Sequence, residues 1–401
     1  MNNRELPILK LKPGREKSLL RRHPWIFSGA VKEITGNPKC GDLVEVRSSK
    51  NELLGIIAYS HKSQITGRIW EFNPIKNKNI ETLLIEHIAS AYELRNTTNL
   101  FPSTNSYRLV HAESDQIPGL IVDIYNKTAI MQLLSCGVEV FREEIAEILL
   151  DLPEIESVYE QSDAVVRKLE GLPPRSGYVM GKVCEESISI IEHSIHYAFP
   201  VNAGQKTGFY LDQRKNRLLL REFVKGKDVL DCFCFSGGFS LNAYMGGANH
   251  ITSVDSSEDA LEALAKNIEF NEFDPDKFDL RCNDVFKELR LYRDQGREFD
   301  VIILDPPKFA PTRKQVKRAS RGYKDINLLA FKLLRPGGIL FTFSCSGGVD
   351  PGLFQKIVAG AALDAEADVQ ILKRMAQDAD HPVLLSFPEG EYLKGLICIK
   401  K

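Results

Sequence analysis

From Leu9 to about Arg68 the apolar residues come in short alternating runs broken by turn signals. Leu43-Val44-Glu45-Val46 follows Cys40-Gly41-Asp42, and Leu53-Leu54-Gly55-Ile56-Ile57 follows Asn51-Glu52. Alternation buries one face of each strand and predicts a small β-barrel. After a linker at Asn73-Pro74-Ile75-Lys76-Asn77-Lys78-Asn79 the period changes, and apolar residues at 80, 83, 84, 88 and 91 predict a helix over Ile80 to Arg95. Between Tyr107 and about Ile191, strand-like runs (Gly119 to Asp123, Ala129 to Leu134) mix with a helical stretch near 139–150, which predicts an α+β unit. From about Val201 the rhythm is stronger. Apolar runs at 228–235, 250–254, 299–304 and 338–343 alternate with helix-like segments at 212–223, 258–270 and 323–334, the signature of a doubly wound parallel sheet. The expected organisation is three domains, at 1–78, 79–198 and 199–401.

Composition alters this little. With 43% hydrophobic and 26% charged residues, a 401-residue chain has ordinary globular statistics. Met1-Asn2-Asn3-Arg4-Glu5 is polar and no run approaches about 18 apolar residues, so a cytoplasmic protein without a membrane partner is expected. Eight cysteines (40, 136, 184, 232, 234, 282, 345, 398) lack paired C-x-x-C spacing. Neither a disulfide framework nor a metal site is therefore expected, and Cys232 and Cys234 are read as core residues on one strand face. Charge alters the picture more. The formal net charge of −2 conceals two basic segments: residues 1–78 hold 15 Lys/Arg against 7 Asp/Glu, and residues 306–335 hold 9 against Asp325 alone. Each segment is either a solvated face or a phosphate-binding surface on an otherwise acidic body.

Ligands of open α/β sheets bind beyond the carboxyl ends of the strands, and the informative residues fall there. Asp228 to Phe235 runs into Ser236-Gly237-Gly238-Phe239-Ser240, a glycine turn opening a helix without the G-x-G-x-x-G spacing of dinucleotide sites. The next strand ends at Ser253-Val254-Asp255, where an acidic residue either accepts ribose hydroxyls or caps the following helix. The third ends at Cys282-Asn283-Asp284. This order of motifs resembles the class I methyltransferase domain, whose sheet order is 3-2-1-4-5-7-6. The resemblance implies S-adenosylmethionine as cofactor, held by Gln205, Lys206, Tyr210, Asp231, Phe235, Ser236, Gly237, Gly238, Asp255, Ser256, Asn283, Asp284 and Asp305. Upstream, Gly204 to Arg214 looks like the pre-sheet segment of RNA-modifying members, and its Asp212 either caps a helix or joins the site.

The fourth strand ends Asp305-Pro306-Pro307-Lys308-Phe309, where two prolines fix a rigid turn and Phe309 is available to stack on a base. The fifth ends Ser344-Cys345-Ser346-Gly347. Carbon 5 of a pyrimidine is a poor nucleophile, and its methylation needs a thiolate to add at carbon 6. Cys345 is placed for that, with Lys308 as a cation that would favour the thiolate; otherwise Cys345 is a small residue at a strand end.

The whole chain resembles bacterial 23S rRNA cytosine-5 methyltransferases, which join an N-terminal PUA β-barrel to a central α+β domain and a class I methyltransferase domain with a Rossmann-like seven-stranded sheet. The carrying residues are Arg22-His23-Pro24-Trp25-Ile26-Phe27-Ser28-Gly29, Ala112 to Asp115 with Pro118-Gly119-Leu120, Gly204 to Arg214, Asp305 to Phe309, Arg321 to Asn327 and Phe343 to Gly347. The resemblance implies 23S ribosomal RNA as partner and leaves a homodimer open. It also implies Cys345 as the nucleophile, beside which Asp305 and Lys308 are read as catalytic candidates, and His23, Trp25, Phe309, Arg318, Arg321 and Tyr323 at the substrate. His23 and Trp25 are equally read as packing residues of the barrel. Two departures stand out. Pro307 is followed by Lys308, where the widespread RNA cytosine-5 enzymes carry a second cysteine. In Phe387-Pro388-Glu389-Gly390-Glu391-Tyr392-Leu393-Lys394, a lysine stands where uracil-5 enzymes carry a glutamate base. The base that removes the carbon-5 proton is then Asp305 or Glu389. Two other functions remain open, N-methylation of a guanine and non-catalytic RNA binding.

Overall fold

The computed structural model describes residues 6–72, 79–98, 100, 103–162, 165–183, 187–200, 208–309 and 315–401. The chain forms two compact units, the first comprising 1–190, 199–209 and 379–390, the second 191–198, 210–378 and 391–401. The segments expected as barrel and central domain share the first unit. Residues 379–390, expected with the last domain, pack with the first unit as well.

In the first unit, six short strands form one sheet in the order Trp25–Phe27, Ile65–Glu71, Leu53–Tyr59, Leu43–Arg47, Ile8–Leu11, Val31–Thr35. Their inward residues (Leu9, Leu11, Val44, Val46, Ile57, Ile69) make the barrel core the alternation predicts. A second sheet follows, in the order Arg175–Gly181, Ser157–Ser162, Thr128–Leu133, Leu120–Tyr125, Ser106–His111. The helix expected from Ile80 runs to Thr97 and starts where Asn79 accepts the Thr82 amide at 2.7 Å. It buries Ile80, Leu83, Leu84, Ile88 and Ala91 in the same core as the helix Arg142–Leu150. Arg95 on this helix is fully buried. It donates to both oxygens of Asp115 (2.7 and 2.8 Å) and to the carbonyl of Asp380 (2.9 Å), which anchors the returning segment 379–390.

The expectation of unpaired cysteines fails here. Cys40, in the turn before Leu43, and Cys136, which opens the helix Cys136–Glu139, form a disulfide across a 5.7 Å Cα separation. Spacing could not reveal it, because the partners are 96 residues apart and only the packing of the two sheets brings them together.

The second unit holds a sheet of seven strands. In chain order they are Asp228–Cys232, His250–Asp255, Phe278–Cys282, Phe299–Leu304, Leu334–Ser344, Val369–Met375 and Lys394–Lys400, called first to seventh below. Their order in the sheet is third, second, first, fourth, fifth, seventh, sixth, as the class I pattern requires. The first five strands are parallel and the seventh runs antiparallel to both neighbours. Period-2 alternation splits the core. Leu230, Cys232, Ile302, Leu304, Leu340, Leu396 and Cys398 face the helices Val285–Asp294, Val316–Leu333 and Pro351–Asp364, while Val229, Ile251, Val301, Ile303, Phe341, Phe343 and Ile397 face Leu220, Phe239 and Ala243.

The first strand ends three residues earlier than its apolar run. Phe233 and Phe235 take left-handed conformations (φ 62° and 49°), and the amides of Phe233 and Cys234 both bond the carbonyl of Val254. Cys232 is therefore a core residue on the strand, and Cys234 is buried in the turn after it. No helix among the described residues is long and apolar enough to cross a membrane, and no described cluster of His, Cys, Asp and Glu is arranged for a metal.

Candidate active site

The parallel strands aim their carboxyl ends at one edge of the sheet, where the backbone makes unusual demands. Gly237 has φ 85°, and a Cβ there would stand 2.1 Å from Leu264 Cδ1, so the turn before the helix Gly238–Met245 admits only glycine. A Cβ on Gly238 would meet Arg217 Cδ at 2.9 Å. Left-handed Phe233 and Phe235 next to this turn are costly for bulky residues, and such strain is kept where the surroundings over-determine it.

Asp231 lies under the turn, 1% exposed. Its Oδ2 accepts from Ser240 Oγ at 2.6 Å, and Ser240 in turn bonds Ser253 Oγ at 2.8 Å, but Oδ1 has no partner among the described residues. Burial, with nearby Asp305 and Asp255 adding to it, pushes the Asp231 carboxyl up to about 7 against the hydrogen bond from Ser240. A buried acceptor held open beside a glycine turn fits a cationic donor such as the ammonium of an amino acid.

Asp255, half-buried, accepts the Phe235 amide on Oδ2 and the Ser257 amide on Oδ1, both at 2.9 Å. The helix cap itself is Ser257, which accepts Ala260 N. A carboxylate has about four acceptor sites, so Asp255 organises the turn and still has capacity for ribose hydroxyls. Ser256 beside it is exposed. Asn283 donates to Glu288 Oε2 at 2.7 Å and its amide bonds the Asp255 carbonyl. Asp284 is exposed and caps the helix Val285–Asp294 through Lys287 N, so it has a local structural task that the sequence reading did not give it. Tyr210 packs edge-on against Phe235 (centroids 5.4 Å), and its phenol is pushed up by burial and then by Asp305, Asp212, Cys345 and Asp255. Those charges therefore surround one ring. Ser236 is buried and accepts Asn267 Nδ2 on its carbonyl. Gln205 and Lys206 lie outside the described residues.

The register Leu304↔Thr342 sets the fourth and fifth strand ends side by side. Cys345 is half-buried, with Sγ 4.0 Å from the carbonyl of Pro306, and Asp305 precedes that proline. Lys308, nominated as the cation near the thiol, is exposed. Phe309 is half-buried in an aromatic group with Tyr323 (4.8 Å), Phe286 (6.0 Å) and Phe233 (6.4 Å). Tyr323, expected to touch substrate, is 0% exposed, because helix Val316–Leu333 turns it inward with Ala319, Ile326 and Ala330; its hydroxyl bonds Ser346 Oγ at 3.0 Å. It supports Phe309 and the Cys345 loop from below. Arg318 and Arg321 stand exposed on the opposite face of that helix, while neighbouring Lys324 pairs with Asp364.

His23 and Trp25 are in the first unit. The Trp25 indole N–H donates to Glu113 Oε1 at 2.7 Å, and its ring meets Phe387 at 4.8 Å. His23 Nε2 lies 3.3 Å from Glu389 Oε2. Both residues thus hold the returning segment 379–390, an internal role that accounts for the motif without a substrate. Glu389 is engaged by this contact.

Residues 9–72 match the model of a PUA-like domain, and residues 172–383 match that of an S-adenosylmethionine-dependent methyltransferase. The chain is similar to the protein named ribosomal RNA large subunit methyltransferase I from Klebsiella pneumoniae, at 45% identity over 99% of each chain. It is equally similar to the Escherichia coli protein of that name, over 97% of this chain and 98% of the relative. The chain belongs to the ribosomal RNA large subunit methyltransferase I family. It is an S-adenosylmethionine-dependent methyltransferase with an N-terminal PUA-like domain. Two solved structures share the fold across 98% of the chain: a Streptococcus mutans protein described as an S-adenosylmethionine-dependent methyltransferase (TM-score 0.83, 23% identity), and a protein described as a methyltransferase, solved with S-adenosylhomocysteine (TM-score 0.85, 24% identity).

What sequence reasoning missed in this family member is Lys394. It is 6% exposed, and its Nζ donates to the carbonyls of Ser346 (2.8 Å) and Tyr392 (2.7 Å). The signal was a lysine in the place of a glutamate, a departure that sequence alone does not connect to Cys345.

Proposed function

We propose that this chain methylates carbon 5 of a cytosine in 23S ribosomal RNA through a covalent adduct between Cys345 and carbon 6. The observation that carries the reading is Cys345 itself, a half-buried thiol at the fifth strand end against the Pro306 carbonyl, in a chain whose family is named for large-subunit ribosomal RNA. Within the chain, residues 1–78 act as the RNA-binding barrel, 79–198 form a central α+β domain, and 199–401, apart from 199–209 and 379–390 that pack with the first unit, act as the methyltransferase domain. The enzyme works with its substrate in the cytoplasm.

The unpaired Oδ1 of Asp231, the glycine turn and Asp255 fit the amino-acid and ribose parts of S-adenosylmethionine, with Tyr210, Phe235, Ser236, Asn283 and Asp305 completing the pocket. When bound, the cofactor supplies an electrophilic methyl group. The chain's residues do the rest. The Cys345 thiolate forms a bond to carbon 6 and drives the electrons of the 5,6 double bond toward carbon 5, making that carbon nucleophilic. After carbon 5 is methylated, Asp305, adjacent to Pro306, takes its proton. The C–H electron pair restores the double bond and expels the Cys345 sulfur as thiolate. Phe309, backed by Tyr323, offers a ring on which the base stacks. Incubation with a 23S rRNA fragment and S-adenosylmethionine, followed by nucleoside mass spectrometry, should give 5-methylcytidine. A methylguanosine in its place would favour nitrogen methylation, and no methylated product would favour a binding protein.

RNA affinity should fall steeply with salt, because each neutralised phosphate adds about 0.7 to 0.9 to the log–log slope. Arg15 and Lys17 line a groove of about 430 Å³ on the barrel together with exposed Phe27. The double variant Arg15→Gln, Lys17→Gln should lower the slope by roughly 1 to 2 and leave cofactor affinity unchanged. An unaltered slope would mean that this groove is not where phosphate binds.

A further inference from the structure

We propose that Lys394 is the counter-charge of the Cys345 thiolate, a positioning residue that keeps the nucleophile ionised before RNA arrives. The inference rests on the reading of Cys345 as the nucleophile.

The seventh strand begins at Lys394 and pairs with the end of the fifth in the register Ser344↔Lys394. Lys394 therefore stands opposite the residue before Cys345. Its ammonium group reaches the carbonyl of the residue after Cys345, Ser346, at 2.8 Å, and that of Tyr392 at 2.7 Å. The side chain thus reaches from opposite Ser344 to the backbone just after Cys345. An ammonium has three N–H donors, and the two carbonyls take two of them. No carboxylate among the described residues lies within 4.0 Å of Nζ to pair with it as a salt bridge. A buried ammonium without an anion carries a desolvation cost. That cost is visible: burial pushes the lysine down to about 8, and the Cys345 charge is the strongest influence opposing the fall.

The other groups that face this pair divide by element. Lys308, on the loop after the fourth strand, pushes Lys394 down further; Glu391, before the seventh strand, and Asp350, the cap of helix Pro351–Asp364, raise it. All three are exposed and solvent-screened. Tyr323 and Tyr210 also feel the Cys345 charge, and burial holds both as neutral phenols. Among the groups that raise the lysine, the Cys345 charge acts most strongly. The balance is simple: the Cys345 proton goes to solvent, and the resulting negative charge offsets a positive charge already fixed in place. A carboxylate at that position would oppose the thiolate. The lysine favours it.

Alkylation by iodoacetamide reads thiolate directly, without RNA or cofactor, and peptide mass spectrometry assigns it to Cys345 apart from exposed Cys282. In the unmodified full-length protein the rate should rise with a midpoint at least one unit below the free-thiol value of about 8.5. Lys394→Met should raise that midpoint by one unit or more, a tenfold loss of thiolate at neutral pH, and Lys394→Arg should restore most of it. A role confined to tying two carbonyls would leave the midpoint unmoved. A wild-type midpoint at or above about 8.5 overturns the proposal with no variant needed, and so does an unshifted midpoint in a folded Lys394→Met protein. If the midpoint is low and responds to Lys394 while Cys345→Ser retains turnover, the pairing stands and the nucleophile reading falls. The two failures are thereby told apart.

Discussion

Cys345→Ser is expected to reduce turnover by at least 10³-fold while S-adenosylmethionine binding stays within a factor of two or so. A serine hydroxyl is of similar size and fits the half-buried site after Pro306, so the loss is chemical. A thiol that is partly ionised near neutral pH is replaced by a hydroxyl that is not, and addition to carbon 6 is the step that depends on it. Covalent nucleophiles acting as part of a unit carry losses of this order when removed. Initial-rate assays with a 23S rRNA fragment, alongside calorimetric titration of the cofactor, check both halves. A nitrogen methyltransferase would tolerate the serine, because no bond to Cys345 forms in its reaction.

Asp231→Asn should weaken S-adenosylmethionine binding about 10- to 150-fold at pH 8, the range of a charge-assisted hydrogen bond of about 1.5–3 kcal/mol. The variant should lose much less at pH 6. Burial is the largest of the causes that push the Asp231 carboxyl up to about 7. At pH 6 ionising it for the ligand costs about 1.4 kcal/mol, so the advantage of the wild type shrinks roughly tenfold. The linkage has a second consequence. Because the folded value lies above the unfolded one, the group's contribution to stability is intact below about pH 4 and is lost as pH rises through about 7. The amide cannot ionise and removes that loss, so the variant should be at least as stable as the wild type at pH 8 without ligand, and weakened binding cannot be blamed on unfolding. Titrations at pH 6, 7 and 8 check the pattern; a wild type to variant ratio that does not grow with pH would contradict a charged contact at Oδ1.

Much of the second unit was legible because its strands alternate between two helix-covered faces, and because the ligand-facing residues of a parallel sheet must follow the strand ends. Gly237, Asp231, Asp255, Asp305 and Cys345 were nominated that way. Where pattern failed, most of the deciding contacts were non-local. The apolar run through Phe235 reads as one strand, but the left-handed Phe233 ends the ladder at Cys232. The Cys40–Cys136 link depends on packing between two sheets, and no spacing rule reaches across 96 residues. The basic residues near the prolines drew attention to Lys308, which is exposed, while the lysine that bonds the Ser346 carbonyl comes from the seventh strand, about 50 residues after Cys345. The resemblance puts Tyr323 at the substrate with Arg318 and Arg321, but helical periodicity turns it to the core while they face outward. Residues 379–390 belong by sequence to the last domain, yet Arg95 and Trp25 hold them in the first unit.

The central claim is the bond between Cys345 and carbon 6, and a trapped complex tests it most directly. RNA carrying 5-fluorocytidine at the target lacks the carbon-5 proton that the base must remove. With S-adenosylmethionine present, methylation should proceed and release should fail. The account predicts a protein–RNA adduct that survives denaturing electrophoresis, depends on the cofactor and maps by mass spectrometry to Cys345. Normal release of this RNA as methylated product, or an adduct that maps to any other residue, would contradict it.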